Sequence, residues 1–243
     1  QMTSCYNAYA DLISSVLESG MGNRTAYIDE NGSQSFQELE NAVVKASQHL
    51  SNMGIRENER LLIAMLDRCA LPIAFLACIR TGIVPILVNT LLTGEDYQYI
   101  LEDSGAKVLV TSPELLDVFL PLKEKGLIQN IVLEGALLEA AESLSGDLPA
   151  VAFRKPEDPC FWLYSSGSTG RPKGTVHKQS SMNKTAAMYA KPILALQASD
   201  IIFSAAKFQI DNRWRTSFGR RTPLNNSLVN QSPMLCRKVI NMR

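Results

Sequence analysis

The residues best suited to chemistry lie together in "YSSGSTGRPKGT", Tyr164 to Thr175. Ser165, Ser166, Ser168 and Thr169 supply hydroxyls, Gly167, Gly170 and Gly174 free the backbone, and Lys173 adds a positive charge. Closely spaced N–H groups and hydroxyls are the donors that phosphate oxygens need, and glycine lets the main chain approach a ligand. A flexible Ser/Gly linker has a similar composition. The aromatic run "CFWLYSS" directly before the stretch, together with its lysine, favours a loop that holds phosphate. It is not a Walker A loop, which needs Gly before its Lys and Ser/Thr after, whereas Lys173 stands between Pro172 and Gly174.

Other polar candidates read as structural. His177 lies just past the loop, but no acid is placed to orient it as a base. His49 sits on an amphipathic segment, and Lys184 and Lys191 read as solvated helix charges. Trp162 and Tyr164 alternate with Phe161 and Leu163 and read as core. Cys5, Cys69, Cys78, Cys160 and Cys236 form neither a CxxC nor a Cys/His ligand spacing, so buried, reduced thiols are expected and no metal site.

The loop must be held by the elements around it. "SFQELENAVVKASQHLSNMG" opens with Ser35 and Glu38, a capping-box pattern, and continues at helical spacing to Gly54. "RLLIAML" (60–66) reads as a buried parallel strand, Ala70 to Ile79 as an apolar helix, and "VPILV" (84–88) as the next strand. A helix follows over 93–105 with Thr93 and Asp96 at its start, then a strand at 107–112. Ser112-Pro113 reads as an N-cap and N1 pair for a helix through Leu120, and 127–135 as a strand. Residues 134–159 read as a short helix and a loop, 160–166 as a strand, 179–192 as a helix and 199–208 as a last strand. Strands alternating with helices imply an α/β fold, a mostly parallel sheet with flanking helices.

Composition sets the outer limits. The chain of 243 residues is 46% apolar and 20% charged, ordinary for a soluble globular protein with a sizeable core. Its formal net charge of zero hides an asymmetry: residues 209–243 carry seven Lys/Arg and one acid, Asp211. The start "QMTSCYNAYADL" has no secretory pattern, and the longest apolar run, Ala70 to Ile79, is too short for a bilayer, so no membrane and a cytoplasmic location are expected.

"YSSGSTGRPKG" resembles the signature of the adenylate-forming (AMP-binding) enzymes, the superfamily of acyl-CoA synthetases, luciferases and peptide-synthetase adenylation domains. "DPCFWLYSSGSTGRPKGTVH", "MYAKPILALQASDIIFSAAK" and "GIVPILVNTLLTGEDYQYILEDSGAKVLVTS" are similar to benzoate-CoA ligases and related aryl-CoA ligases, over about Ala26 to Phe208. The resemblance implies part of the N-terminal domain of the adenylate-forming fold, with ATP, Mg2+ and coenzyme A as co-substrates and a small aromatic carboxylic acid as substrate. A carboxylate would attack the α-phosphate of MgATP to give acyl-adenylate and pyrophosphate, and coenzyme A would then displace AMP. By motif, Ser165, Ser166, Gly167, Ser168, Thr169 and Gly170 are assigned to the phosphate-gripping loop, and Lys173 to the charge facing the phosphates.

The resemblance stops near Phe208. The family's later elements, a Tyr-Gly-x-Thr-Glu motif, a ribose-binding aspartate and a lysine on a mobile C-terminal domain, have no counterpart in this sequence, so no catalytic residue is assigned. The expected organisation is a partial AMP-binding domain over 1–208 and a divergent basic tail over 209–243. A truncated product is favoured for the tail over a binding extension. Arg213/Arg215 and Arg220/Arg221, interleaved only with Trp214 and Phe218, are a weak nucleic-acid signal, and no nucleic-acid partner is expected. Two functions stay open: an incomplete acid-CoA ligase, or a non-catalytic remnant that binds nucleotide, phosphate or a full-length relative. A P-loop ATPase is disfavoured around Lys173. Sheet strands lacking neighbours would leave surface for self-association.

Overall fold

The computed structural model describes residues 6–143, 148–165, 171–190 and 192–195. The strand expected at 199–208 and the basic tail over 209–243 lie outside the described residues. A π-helical turn, Ala10–Ser14, leads into the short α1, Ser15–Glu18, and then into a β-hairpin of β1 (Thr25–Asp29) and β2 (Gly32–Ser35). Helix α2, Phe36–Asn52, begins with the expected capping box, Ser35 and Glu38 each satisfying the other's backbone N–H.

Next come β3 (Arg60–Ala64), α3 (Ala70–Arg80), β4 (Val84–Leu87), α4 (Gly94–Ser104), β5 (Val108–Thr111) and α5 (Leu116–Glu124). The series ends with β6 (Asn130–Leu133), α6 (Glu134–Ser143), β7 (Pro159–Ser165), β8 (Lys173–Lys178) and α7 (Ser181–Thr185), which runs into a π-helical turn, Ala186–Ala190. Thr93 and Asp96 form a complete capping box at α4, and Gly105 ends that helix at φ +68°, the left-handed conformation that glycine adopts without penalty.

The main sheet has the order β6-β5-β3-β4-β7-β8. All pairings are parallel except β7 with β8, so this is the mostly parallel α/β architecture with flanking helices. Side chains alternate between two cores. Leu61, Ile63, Val110, Phe161 and Leu163 face α2, α3 and α6, while Leu62, Ala64, Ile86, Leu109 and Tyr164 face α4 and α5. Each fully buried Leu or Ile contributes about 1.5–3 kcal/mol relative to exposure. Up to its last residue, Arg80, helix α3 is apolar all round because sheet, α2 and α6 cover it, and every one of its residues is buried.

Two expectations need correction. Ser112 does not cap a helix with its hydroxyl: a 3-10 turn, Pro113–Leu115, precedes α5, and Ser112 Oγ instead donates to Glu134 Oε2 at 2.6 Å and accepts from Leu66 N at 2.9 Å. Lys173, Gly174 and Thr175, read as the end of the loop, instead open a strand that runs on to Lys178, because the chain turns back after β7 and pairs antiparallel with it.

The C-terminal ends of the parallel strands converge on Arg68. Its guanidinium meets Glu134 at 2.6 Å, Glu114 at 2.5 Å and Glu30 of the β1–β2 turn at 3.3 Å. Asp29 Oδ2 accepts from Cys69 N at 2.7 Å, which pins the same hairpin to the start of α3. Arg68 holds the Glu114 carboxyl below the usual carboxylate range. A depressed carboxylate stabilises above its unfolded pKa and loses that contribution as pH falls through the folded value. Arg68→Met should lower the unfolding free energy by about 2 kcal/mol at pH 7, since it takes the counter-charge from the buried Glu134 carboxylate and leaves it the Ser112 hydroxyl. In urea titrations, the gap to the parent chain should narrow as pH drops below about 4.

His177 on β8 stacks on Phe161, ring centroids 4.6 Å apart and planes 6° apart. Burial pushes its pKa below the ordinary histidine value. The neutral ring therefore stabilises fully above about pH 6.5, and that part is lost as pH falls toward the folded value. Thermal melts between pH 7 and 5 should show a decline in the parent chain that His177→Phe, which keeps the stack without the titration, reduces. Equal declines would remove His177 as the cause.

Candidate functional site

The loop is held by a hairpin at the end of the sheet where the parallel strands finish. Strand β7 enters beside β4 through Ile86↔Trp162 and Leu87↔Leu163, and β8 returns along its other side with Ser165 opposite Lys173 and Tyr164 opposite Gly174. The two legs of the loop are thus adjacent across one antiparallel pair. Ligands of open parallel sheets sit outside the C-terminal ends of the strands, where this hairpin opens.

Of the residues assigned by motif, Ser165 closes β7 and Lys173 opens β8, solvent-exposed. Ser166, Gly167, Ser168, Thr169 and Gly170 lie outside the described residues. Pro172 is buried, which fixes the chain just before Lys173. Trp162 is half-buried and Tyr164 buried, both on the face toward α4 and α5. His177 lies further along β8, against Phe161. Lys184 pairs with Glu157 at 3.6 Å, and Lys178 pairs with the same carboxylate.

The structure adds residues that the motif did not name. Tyr164 Oη donates to Asp103 Oδ2 at 2.5 Å, and both burial and the nearby carboxylate raise the phenol's pKa. The Arg171 guanidinium lies 5.4 Å from the centroid of the Tyr99 ring. Tyr99 and Asp103 are four residues apart on α4, so they share one helix face. That spacing was visible in the sequence, but its partners were not.

The start of β7 is tied down from the N-terminal segment. Tyr6 and Arg154 form an antiparallel bridge, Asn7 Nδ2 donates to Ile79 O and Ala152 O at 3.0 Å each, and Gln179 Oε1 accepts from Ala8 N at 2.9 Å. Cys160, at the base of β7, is buried and its thiol is pushed up to about 12, chiefly by burial. It is a packing residue, not a nucleophile. Among the described residues no helix is long and apolar enough to cross a membrane.

Known proteins give this geometry its context. The model of the family "AMP-binding enzyme" matches residues 17–218. A benzoate–CoA ligase of Thauera aromatica is 44% identical over 208 residues, covering 83% of this chain and 40% of that protein. A 4-hydroxybenzoate–CoA/benzoate–CoA ligase of Rhodopseudomonas palustris is 35% identical, covering 83% of this chain and 39% of that protein. Among solved structures, a benzoate CoA ligase from Burkholderia xenovorans superposes with a TM-score of 0.74 at 36% identity, over 83% of this chain and 40% of that one. The anthranilate CoA ligase AuaEII, solved with anthranoyl-AMP, superposes with a TM-score of 0.73 at 27% identity, over 81% of this chain and 38% of that one. The chain spans about 40% of the length of the curated relatives it matches. With its sheet, its hairpin and the family model agreeing over most of its length, the chain belongs to the AMP-binding enzymes.

Proposed function

We propose that this chain serves an ATP-dependent, AMP-forming acid-CoA ligase reaction of the benzoate-CoA ligase type. A carboxylate oxygen attacks the α-phosphorus of ATP, the bond to the bridging oxygen breaks, and pyrophosphate leaves. The thiolate of coenzyme A then attacks the acyl carbon and AMP departs. In this reading Ser165, Ser166, Gly167, Ser168, Thr169 and Gly170 donate hydrogen bonds to the phosphate oxygens, and Lys173 offsets their charge as pyrophosphate leaves. Mg2+ would enter with the nucleotide and offset phosphate charge, and no residue of this chain is assigned to hold it.

The observation that carries the proposal is the register of Ser165 against Lys173, which brings both legs of a Ser/Thr/Gly loop together at the C-terminal edge of a parallel sheet. Identity of 44% to a benzoate–CoA ligase supports a small aromatic carboxylic acid as substrate. We further propose that residues 1–208 form part of the AMP-binding domain, that 209–243 are a separate basic tail, and that the chain works in the cytoplasm. Strand β8, exposed and at the sheet edge among the described residues, supports self-association.

The test is pyrophosphate release from MgATP with benzoate, run beside calorimetric titration of MgATP. Lys173→Ala should weaken nucleotide binding by roughly tenfold to a hundredfold, the worth of one charge-assisted contact. Release that depends on benzoate and Lys173 supports the ligase. Binding that needs Lys173 without release assigns the chain nucleotide binding alone, as a remnant or as partner to a full-length relative. Binding indifferent to Lys173 removes the phosphate-loop assignment.

A further inference from the structure

The aromatic ring of Tyr164 takes an unusual path to its partner. It leans across Gly174, the residue directly opposite on β8, and reaches Asp103 on α4. A Cβ built on Gly174 would stand 2.9 Å from Tyr164 Cζ, 3.2 Å from Oη and 3.3 Å from Cε1. Any other residue at 174 would therefore push the ring away. What gives is the end of a side chain and not the backbone, so the change displaces the ring, and with it the bond to Asp103, before it disturbs the sheet.

The second leg is held by the same helix face. Arg171, just before the buried Pro172, stands over Tyr99, one turn of α4 before Asp103. The helix itself is rigidly seated. Tyr97, Ile100 and Leu101 are buried on its inner side, Tyr97 Oη donates to Asn89 O at 2.6 Å, and the Tyr97 and Phe119 rings lie 4.5 Å apart.

We propose that Tyr99 and Asp103 of α4, with Tyr164, Arg171 and Gly174, form a latch that fixes the two legs of the phosphate loop relative to the helix. Resting on the phosphate-loop reading above, this makes Tyr164, Asp103 and Gly174 positioning residues, acting through the loop without touching nucleotide. It also gives the last glycine of "RPKG" a task distinct from ligand approach: it leaves room for the tyrosine that anchors the strand. A tyrosine covering a strand glycine can also serve packing alone, and the test must separate the two.

MgATP affinity of the full chain is measured by calorimetry for Tyr164→Phe, Asp103→Ala, Asp103→Asn and Gly174→Ala, with Lys173→Ala as the marker of the phosphate-loop reading. Tyr164→Phe, Asp103→Ala and Gly174→Ala should each weaken binding about tenfold, while Asp103→Asn, which can still accept from the phenol, should stay within about twofold. Gly174→Ala should add nothing in the Tyr164→Phe background, because the bond it breaks is already gone. A role in packing alone would lower the melting temperature of these variants and leave affinity within twofold of the parent, and that result overturns the latch.

Should Lys173→Ala bind as the parent does, or the parent not bind MgATP, the phosphate-loop reading fails and hydrogen exchange decides the latch. Amides of residues 171 and 173–176 exchanging at least about tenfold faster in Tyr164→Phe and Asp103→Ala, with protection restored in Asp103→Asn, uphold the anchoring. Unchanged exchange overturns it.

Discussion

Strand β3 pairs in parallel with β4 on one side and β5 on the other, and this double pairing decides at which edge of the sheet the segments that follow the strands collect. Leu61, Leu62, Ile63 and Ala64 are fully buried, two on each face, so β3 belongs to both cores at once. Every strand added in parallel to this pair must finish at the same edge. Arg68 follows β3, Ser112 follows β5, Glu134 follows β6, and the Ser/Thr/Gly segment follows β7. One polarity, set by apolar pairing at the centre, thereby collects polar residues that are far apart in the chain.

That edge has two ends with different characters. At one, beyond β3, β5 and β6, an arginine sits among three glutamates and fastens the N-terminal hairpin. Its one positive charge is shared among three carboxylates of the protein itself. At the other, beyond β7, the exposed Lys173 opens β8 beside glycines and hydroxyls. Helix α4 links the hairpin to the core: its buried residues join one hydrophobic cluster, and Tyr99 and Asp103 reach the hairpin.

What the sequence revealed depended on how local each signal was. Capping pairs such as Ser35/Glu38 and Thr93/Asp96 act within one turn, and both helices begin where those residues predict. Runs such as "RLLIA" and "VPIL" are buried on both faces, so their unbroken apolarity marked them as strands. Strand β8 escaped because its side chains are almost all exposed and polar, and only its pairing with β7 makes it a strand. Ser112 looked like a cap because its hydroxyl's real partner, Glu134, lies across the sheet edge. The Tyr164–Asp103 bond joins residues 61 apart, and no periodicity spans that distance. The loop's composition was plain, while its anchorage depended on the tertiary fold.

The seam between β4 and β7 has a bearing on how the molecule breathes. Two residue pairs join those strands, against four in each of the β3–β4 and β3–β5 pairings and a longer ladder between β7 and β8. Partial opening in a folded protein follows the boundary with least to lose. Counted in backbone pairs that boundary would lie here, but Phe161 and Leu163 in one core and Tyr164 in the other hold the β7–β8 hairpin to the sheet. The hairpin is thus joined to the rest of the sheet more by side chains from α3, α4 and the two cores than by backbone hydrogen bonds.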